Sequence, residues 1–352
     1  MKKTVLAAAL AAASCLAQAQ SSVTIFGIVD AVVTVGRGSI SNRTGLDNSG
    51  KESSRLGFRG TEDLGGGLYA GFHLEGALNN DNGTGAATNV NNQSNGGALA
   101  GLAGGQGFTF GRKMHVQIGG NWGEVRLGRD YTPVYPNQSQ FDPMGTNGVG
   151  TSQVRSNLGG PTNVRASNSI GYFLPRNIGG FYGQAMYFMG ENSSNAANSD
   201  DGTGMGIRLG YGAGPFTVAI ATQRTEFLTG DIRTSNIGGS YNAGFATFRA
   251  MYQVDDIKGG ARGKGAVMGA NVPLGSHELR GSYGFYERDT AGNPKARKLS
   301  LGYVHNLSKR TALYTTVARL RNSGGSSMAL NGSSTAPNSS STGFDFGITQ
   351  LF

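Results

Sequence analysis

The chain reads as an all-β protein, a 16-stranded antiparallel transmembrane β-barrel whose longest loop can fold into the bore. Three observations predict this. Glycine is extreme, at 60 of 352 residues against a usual share of about 7%. These glycines alternate with Phe, Tyr, Val, Ile and Leu at a spacing of two, which disorder does not require. No apolar run beyond the first twenty residues approaches the roughly 20 residues of a membrane helix. The polar segments between β-type runs are alternately short and long, as in an up-and-down barrel with one short-turn rim and one long-loop rim.

Residues 1–19 have the three parts of a secretory signal peptide. Lys2 and Lys3 supply the positive start, Val5 to Leu16 a short apolar stretch, and Ala17-Gln18-Ala19 a small-x-small cleavage site. The apolar part is too short to span a bilayer. Ala12-Ala13-Ser14 before Cys15 fit a lipoprotein signal poorly. Removal of 1–19 leaves 20–352 as the barrel domain and takes away Cys15, the one cysteine, so disulfides and thiolate metal sites are excluded. Losing Lys2 and Lys3 lowers the formal charge from +9 to +7.

The first β-type run is 22–36, followed by a polar loop to about Glu52. Residues 53–64 place Leu56 and Phe58 on one face and Arg55, Arg59 and Thr61 on the other. The Gly65-Gly66-Gly67 turn leads into 68–78, where Leu68, Ala70, Phe72 and Leu74 oppose Tyr69, Gly71, His73 and Glu75. A second long loop occupies 79–105. Runs at 108–118 and 123–130 form the next hairpin, and parity from Val125 and Leu127 turns Arg126 inward. The rhythm continues through 165–175, 181–190, 204–212, 216–223, 236–242, 245–254, 265–274, 278–288, 298–307, 311–320 and 343–352. Ile207 and Leu209 likewise turn Arg208 inward. Charged residues on the polar faces could not close a dry core, because buried charge must be paired. A water-filled lumen removes that difficulty.

Tyr131–Val164 is a run of 34 residues without helical or strand period, carrying one acid, Asp142, and one base, Arg155. A loop of this length inside a compact domain is usually functional. In the last strand Phe344, Phe346, Ile348, Gln350 and Phe352 share a face, and a closing aromatic fits an assembly signal for an exported barrel.

Enzyme chemistry has no support in the sequence. The histidines at 73, 115, 277 and 305 are dispersed, without the spacing of a zinc protease. There is no Gly-x-Ser-x-Gly elbow and no phosphate loop, and neither cofactor nor metal is expected. Basic residues spread over many strands do not form a nucleic-acid patch.

The stretches SSVTIFGIVD, SRLGFRGTEDLGGGLYAGFHLEG, GEVRLGRD and LGYVHNLSKRTALY, with the final Phe, resemble the general porins of β-proteobacteria. The resemblance covers the whole chain after the signal and is strongest at both ends. It implies a homotrimeric channel in the Gram-negative outer membrane, surrounded by lipid and lipopolysaccharide and inserted by the barrel-assembly machinery. It also implies that Tyr131–Val164 is the constriction loop, facing basic residues Arg55, Arg112 and Arg165 with Glu75 beside them. Parity puts Lys113 rather than Arg112 inward, and a one-residue bulge would reconcile the two, so both stand as candidates. With Asp142 the loop's one acid, the expected bore is lopsidedly basic. The function expected is passive diffusion of small hydrophilic solutes, with preference for small anions. A substrate-specific channel for phosphate or small organic anions is the alternative.

Overall fold

The computed structural model describes residues 22–94, 107–156 and 158–352. The expected signal, 1–19, and residues 95–105 of the second long loop lie outside the described residues. The first eight barrel strands are β1 (Ser22–Arg37), β2 (Arg55–Gly65), β3 (Leu68–Asn79), β4 (Lys113–Gly120), β5 (Gly123–Tyr131), β6 (Arg165–Phe173), β7 (Phe181–Phe188) and β8 (Gly204–Ala213). The second eight are β9 (Phe216–Thr225), β10 (Ile232–Asn242), β11 (Thr247–Ile257), β12 (Arg262–Leu274), β13 (His277–Asp289), β14 (Lys295–Asn306), β15 (Thr311–Ser323) and β16 (Ser340–Leu351). Each pairs antiparallel with the next, and β1 pairs with both β2 and β16, so the sheet closes on itself. The 16-stranded barrel expected from the alternation is the fold observed.

Burial is inverted relative to a water-soluble protein. On β16, Phe344, Phe346 and Ile348 point outward and are exposed, while Asp345 and Thr349 are buried inside. A barrel whose outer face meets hydrocarbon and whose inner face meets water requires this order. Closure also satisfies every backbone group that an open edge would leave unpaired in lipid.

Two local expectations change. The polar loop after β1 contains an eight-residue strand, Ser41–Asn48, which folds back on β1. Residues 108–112 are not strand. There Thr109 Oγ1 donates to the Ala86 carbonyl at 3.1 Å and meets Thr88 Oγ1 at 2.6 Å, so local bonds to the long loop replace the ladder.

The 131–164 segment folds inside the barrel and has structure of its own: a short helix, α1 (Tyr135–Gln140), and a 3-10 turn at Gln153–Ser156. Its apolar residues pack on the inner wall. Phe141 and Val154 form a buried cluster with Ala219, Met251 and Val267. A side chain at Gly238 would collide with the Phe141 ring, so glycine there permits the approach. Val149 packs against Ala296, Ala318 and Leu320.

Candidate functional site

Polar contacts fix the loop along the wall from β10 to β16. Asn137 donates to Asn236 at 2.8 Å and Gln138 donates to Gln253 at 2.9 Å. Farther along, Lys298 and Ser300 of β14 donate to the Thr151 and Gly150 carbonyls, and Asp345 accepts from the Val149 N–H at 2.8 Å. Asn147 accepts from Ser53 Oγ at 2.9 Å, tying the loop to the segment before β2. These contacts leave the charged inner faces of β2 to β6 bordering the remaining bore.

On that wall Glu75 accepts from the Nε of Arg112, with His73 Nε2 at 3.2 Å and Arg55 Nε at 4.0 Å. Arg112 sits in a bend just before β4. Its N–H donates to the Glu75 carbonyl, while Lys113 is the residue paired with Glu75 in the ladder. Two consecutive residues thus oppose one, and both side chains enter the same polar layer. Lys113 reaches Asp130 at 3.1 Å, and Arg126 bridges Asp130 at 2.8 Å and Glu124 at 2.6 Å.

Tyr131, which ends β5, organises the cations around it. Lys113 Nζ lies 4.6 Å and Arg165 Cζ 4.9 Å from its ring centre. Its hydroxyl accepts from Arg112 at 3.0 Å and from Arg165 at 3.4 Å. Cations over an aromatic face are held without a neutralising acid. Arg165 makes no ion pair among the described residues, and its buried Nε has no hydrogen-bond partner.

Two expected site residues do other work in this geometry. Asp142 is in the loop, but its carboxylate is turned into the loop and buried, accepting from the N–H groups of Met144 and Ser152 at 2.9 and 2.8 Å. Burial pushes its carboxyl pKa up, while the two N–H groups work the other way. Arg208 is inward but spends its donors on the loop helix, at Asn137 (2.7 Å) and Gln140 (2.6 Å). Phe352 lies at the barrel seam, beside Gly27 of β1. The side chain of Arg155 is outside the described residues.

Sequence reasoning missed Asp130, Tyr131 and Arg129. Arg129 donates to the carbonyls of Gly111 and Asn89 and to Ser167 Oγ. Parity with Arg126 already turns Asp130 inward, whereas a register irregularity between Gly128 and Asp130 breaks the parity that would have located Arg129 and Tyr131. Arg249 and Arg280 were also missed, although regular alternation of β11 and β13 places both inward.

A closed barrel with a polar, charged interior and a loop folded into its bore defines a transmembrane channel. A family model described as Gram-negative porin matches residues 6–325. Outer membrane porin protein 32 of Delftia acidovorans is 36% identical over the whole of both chains. An outer membrane porin protein of Bordetella pertussis is 27% identical over 89% of this chain and 93% of its own. Among solved structures, an anion-selective porin from Comamonas acidovorans superposes with a TM-score of 0.83 at 34% identity, covering 95% of this chain and 100% of that one. The chain belongs to the Gram-negative porin family and is an outer-membrane channel.

Proposed function

We propose that this porin is a general diffusion channel whose narrowest part favours small anions. The observation that carries this is the imbalance around Tyr131. Arg55, Arg112, Lys113, Arg126 and Arg165 gather there against Glu75, Asp130 and Glu124, and Arg165 is left with no acid. Asp142, which would have opposed them from the loop, is turned away and capped by backbone N–H groups. A net positive layer in a narrow, partly desolvated bore raises the local concentration of anions more than the same charges would in bulk water. The resemblance to a porin described as anion-selective points the same way.

Transport in this reading is passive: solutes cross through water, sieved by the loop, and the charge layer biases the sign of the ion. Removal of 1–19 on export, insertion by the barrel-assembly machinery and assembly as a homotrimer among outer-membrane lipids belong to the same proposal. Reversal potentials of the purified protein in a chloride gradient test it. Anions should cross faster than cations, less so as salt rises and screening shortens. A cation-preferring pore at low salt would overturn the anion reading. Block of the current by low concentrations of phosphate or an organic acid would instead favour a substrate-specific channel.

A further inference from the structure

The loop and the wall enclose a second charged space that the layer around Tyr131 does not include. It is a cavity of about 240 Å³ lined by Lys51, Glu52, Asp142, Arg249, Glu278 and Arg280. Arg249 lies two residues into β11 from its short-turn end, and Arg280 three residues into β13 from its own. In outer-membrane barrels short turns face the periplasm. The wall arginines of this cavity therefore stand toward the periplasmic ends of their strands, while Lys51 and Glu52, just before β2, close it from the long-loop side, where Arg55, Arg112 and Arg165 stand at the ends of theirs.

The charges in this cavity are unequally engaged. Arg280 donates to Glu278, and Lys51 reaches Glu52 at 3.5 Å. Asp142 turns both oxygens to backbone N–H groups. Asn271 donates to the Pro143 carbonyl at 2.9 Å and to Glu278 at 3.4 Å, which further occupies that acid. Arg249 has no hydrogen bond and no ion pair among the described residues, although Glu278, Arg280 and Asp142 are its electrostatic neighbours. The cavity's three cations face three acids, each already engaged, so a half-buried guanidinium with five free donors is the group left to meet a planar or tetrahedral oxyanion.

We propose that Arg249, flanked by Arg280 and Lys51, forms a second anion station in the cavity between the loop and the β11–β13 wall, reaching toward the periplasmic ends of those strands and taking small oxyanions such as carboxylates and phosphate. This deepens the proposed function and rests on it. An anion leaving the layer around Tyr131 meets a second guanidinium that no ion pair or hydrogen bond engages among the described residues. Two weak sites in series let each ion leave by moving to the next, which a single tight site would prevent.

The leader carries the one cysteine, so Arg249→Cys in the processed chain provides a unique thiol whose charge can be set after the channel has inserted. Reversal potentials in a chloride gradient, and the reduction of current by inorganic phosphate or acetate added on either side, are recorded before and after a cationic or an anionic methanethiosulfonate. The anion-to-cation permeability ratio of Arg249→Cys should fall by about twofold, in line with the loss of one charge in a focused field. The cationic reagent should restore it and the anionic one lower it further. Phosphate at high concentration, as for a weak site, should reduce the wild-type current more than that of the variant. A thiol that does not react in the open channel, or a ratio unmoved by either reagent in a pore that prefers anions, overturns the second station and leaves the proposed function standing. A wild-type pore without anion preference removes the proposed function itself. Arg249→Lys checks the fork: it should keep the permeability ratio while weakening the phosphate effect.

Discussion

Gly27 and Phe352 exchange both backbone hydrogen bonds, N–H to carbonyl at 3.0 and 3.1 Å, and join the two ends of the sheet. The Phe352 ring lies where a Gly27 side chain would stand, so that even a Cβ at that position would overlap it. The terminal aromatic thus has a defined seat on the outer surface of the seam. Gly27→Val and deletion of Phe352 should each lower the fraction of heat-modifiable, assembled protein, without changing the conductance of channels that do insert. Normal assembly of both variants would count against a role in export.

The loop is held by Phe141 and Val154 in a buried cluster and by several buried hydrogen bonds, each of about 1 kcal/mol net. None of these belongs to the strand ladder. Removing residues 145–160 should leave the barrel closed while raising single-channel conductance and admitting larger sugars. Liposome swelling with a graded sugar series reads the change directly. Phe141→Ala, losing about 3–5 kcal/mol of packing, should loosen the loop and give a noisier open current.

Arg55→Glu with Arg165→Glu reverses two of the least neutralised charges near Tyr131. The double variant should shift the reversal potential toward cation preference by at least about a factor of two in permeability ratio at low salt. An unchanged potential would place the selective layer elsewhere.

Glu75 is the acid shared by Arg112, His73 and Arg55. Glu75→Gln should strengthen anion preference because it removes a negative charge from the layer. It should also lower the melting temperature in detergent, since breaking a buried ion pair costs about 3–5 kcal/mol. Opposite movements of these two readouts would identify Glu75 as a structural counter-charge that costs some selectivity.

Because burial raises the Asp142 pKa, this group loses its charge at a higher pH than a free aspartate does. It contributes to loop docking below the ordinary aspartate value of about 4, and that contribution is lost as pH rises through the raised value. Anion preference should therefore increase as the pH is lowered from neutrality. Asp142→Asn should remove the first part of that change, read as reversal potential against pH.

Much of the barrel was legible because a two-residue period makes each strand carry its own address. Phe344, Phe346 and Ile348 against Asp345 and Thr349 declare which side meets lipid, whatever their neighbours do. Parity failed where the backbone departs from it, at the bend holding Arg112 and at the irregularity between Gly128 and Asp130. It also said nothing of Ser41–Asn48, whose polar residues pair with β1 through backbone bonds alone.

The sequence by itself determined the strand number, the inside and outside of each strand where alternation is unbroken, the position of the long loop and the basic excess. Those properties follow from local alternation, length and composition. Tertiary structure alone decided which charges remain available. Whether Arg208 faces a solute or the loop helix, whether Asp142 opposes the bore or caps its own loop, and whether Arg249 finds a partner depend on groups far apart in the chain. Electrostatic pairing acts through distances that only closure of the barrel and docking of the loop establish. The sign of each charge is written locally, but its partner is not.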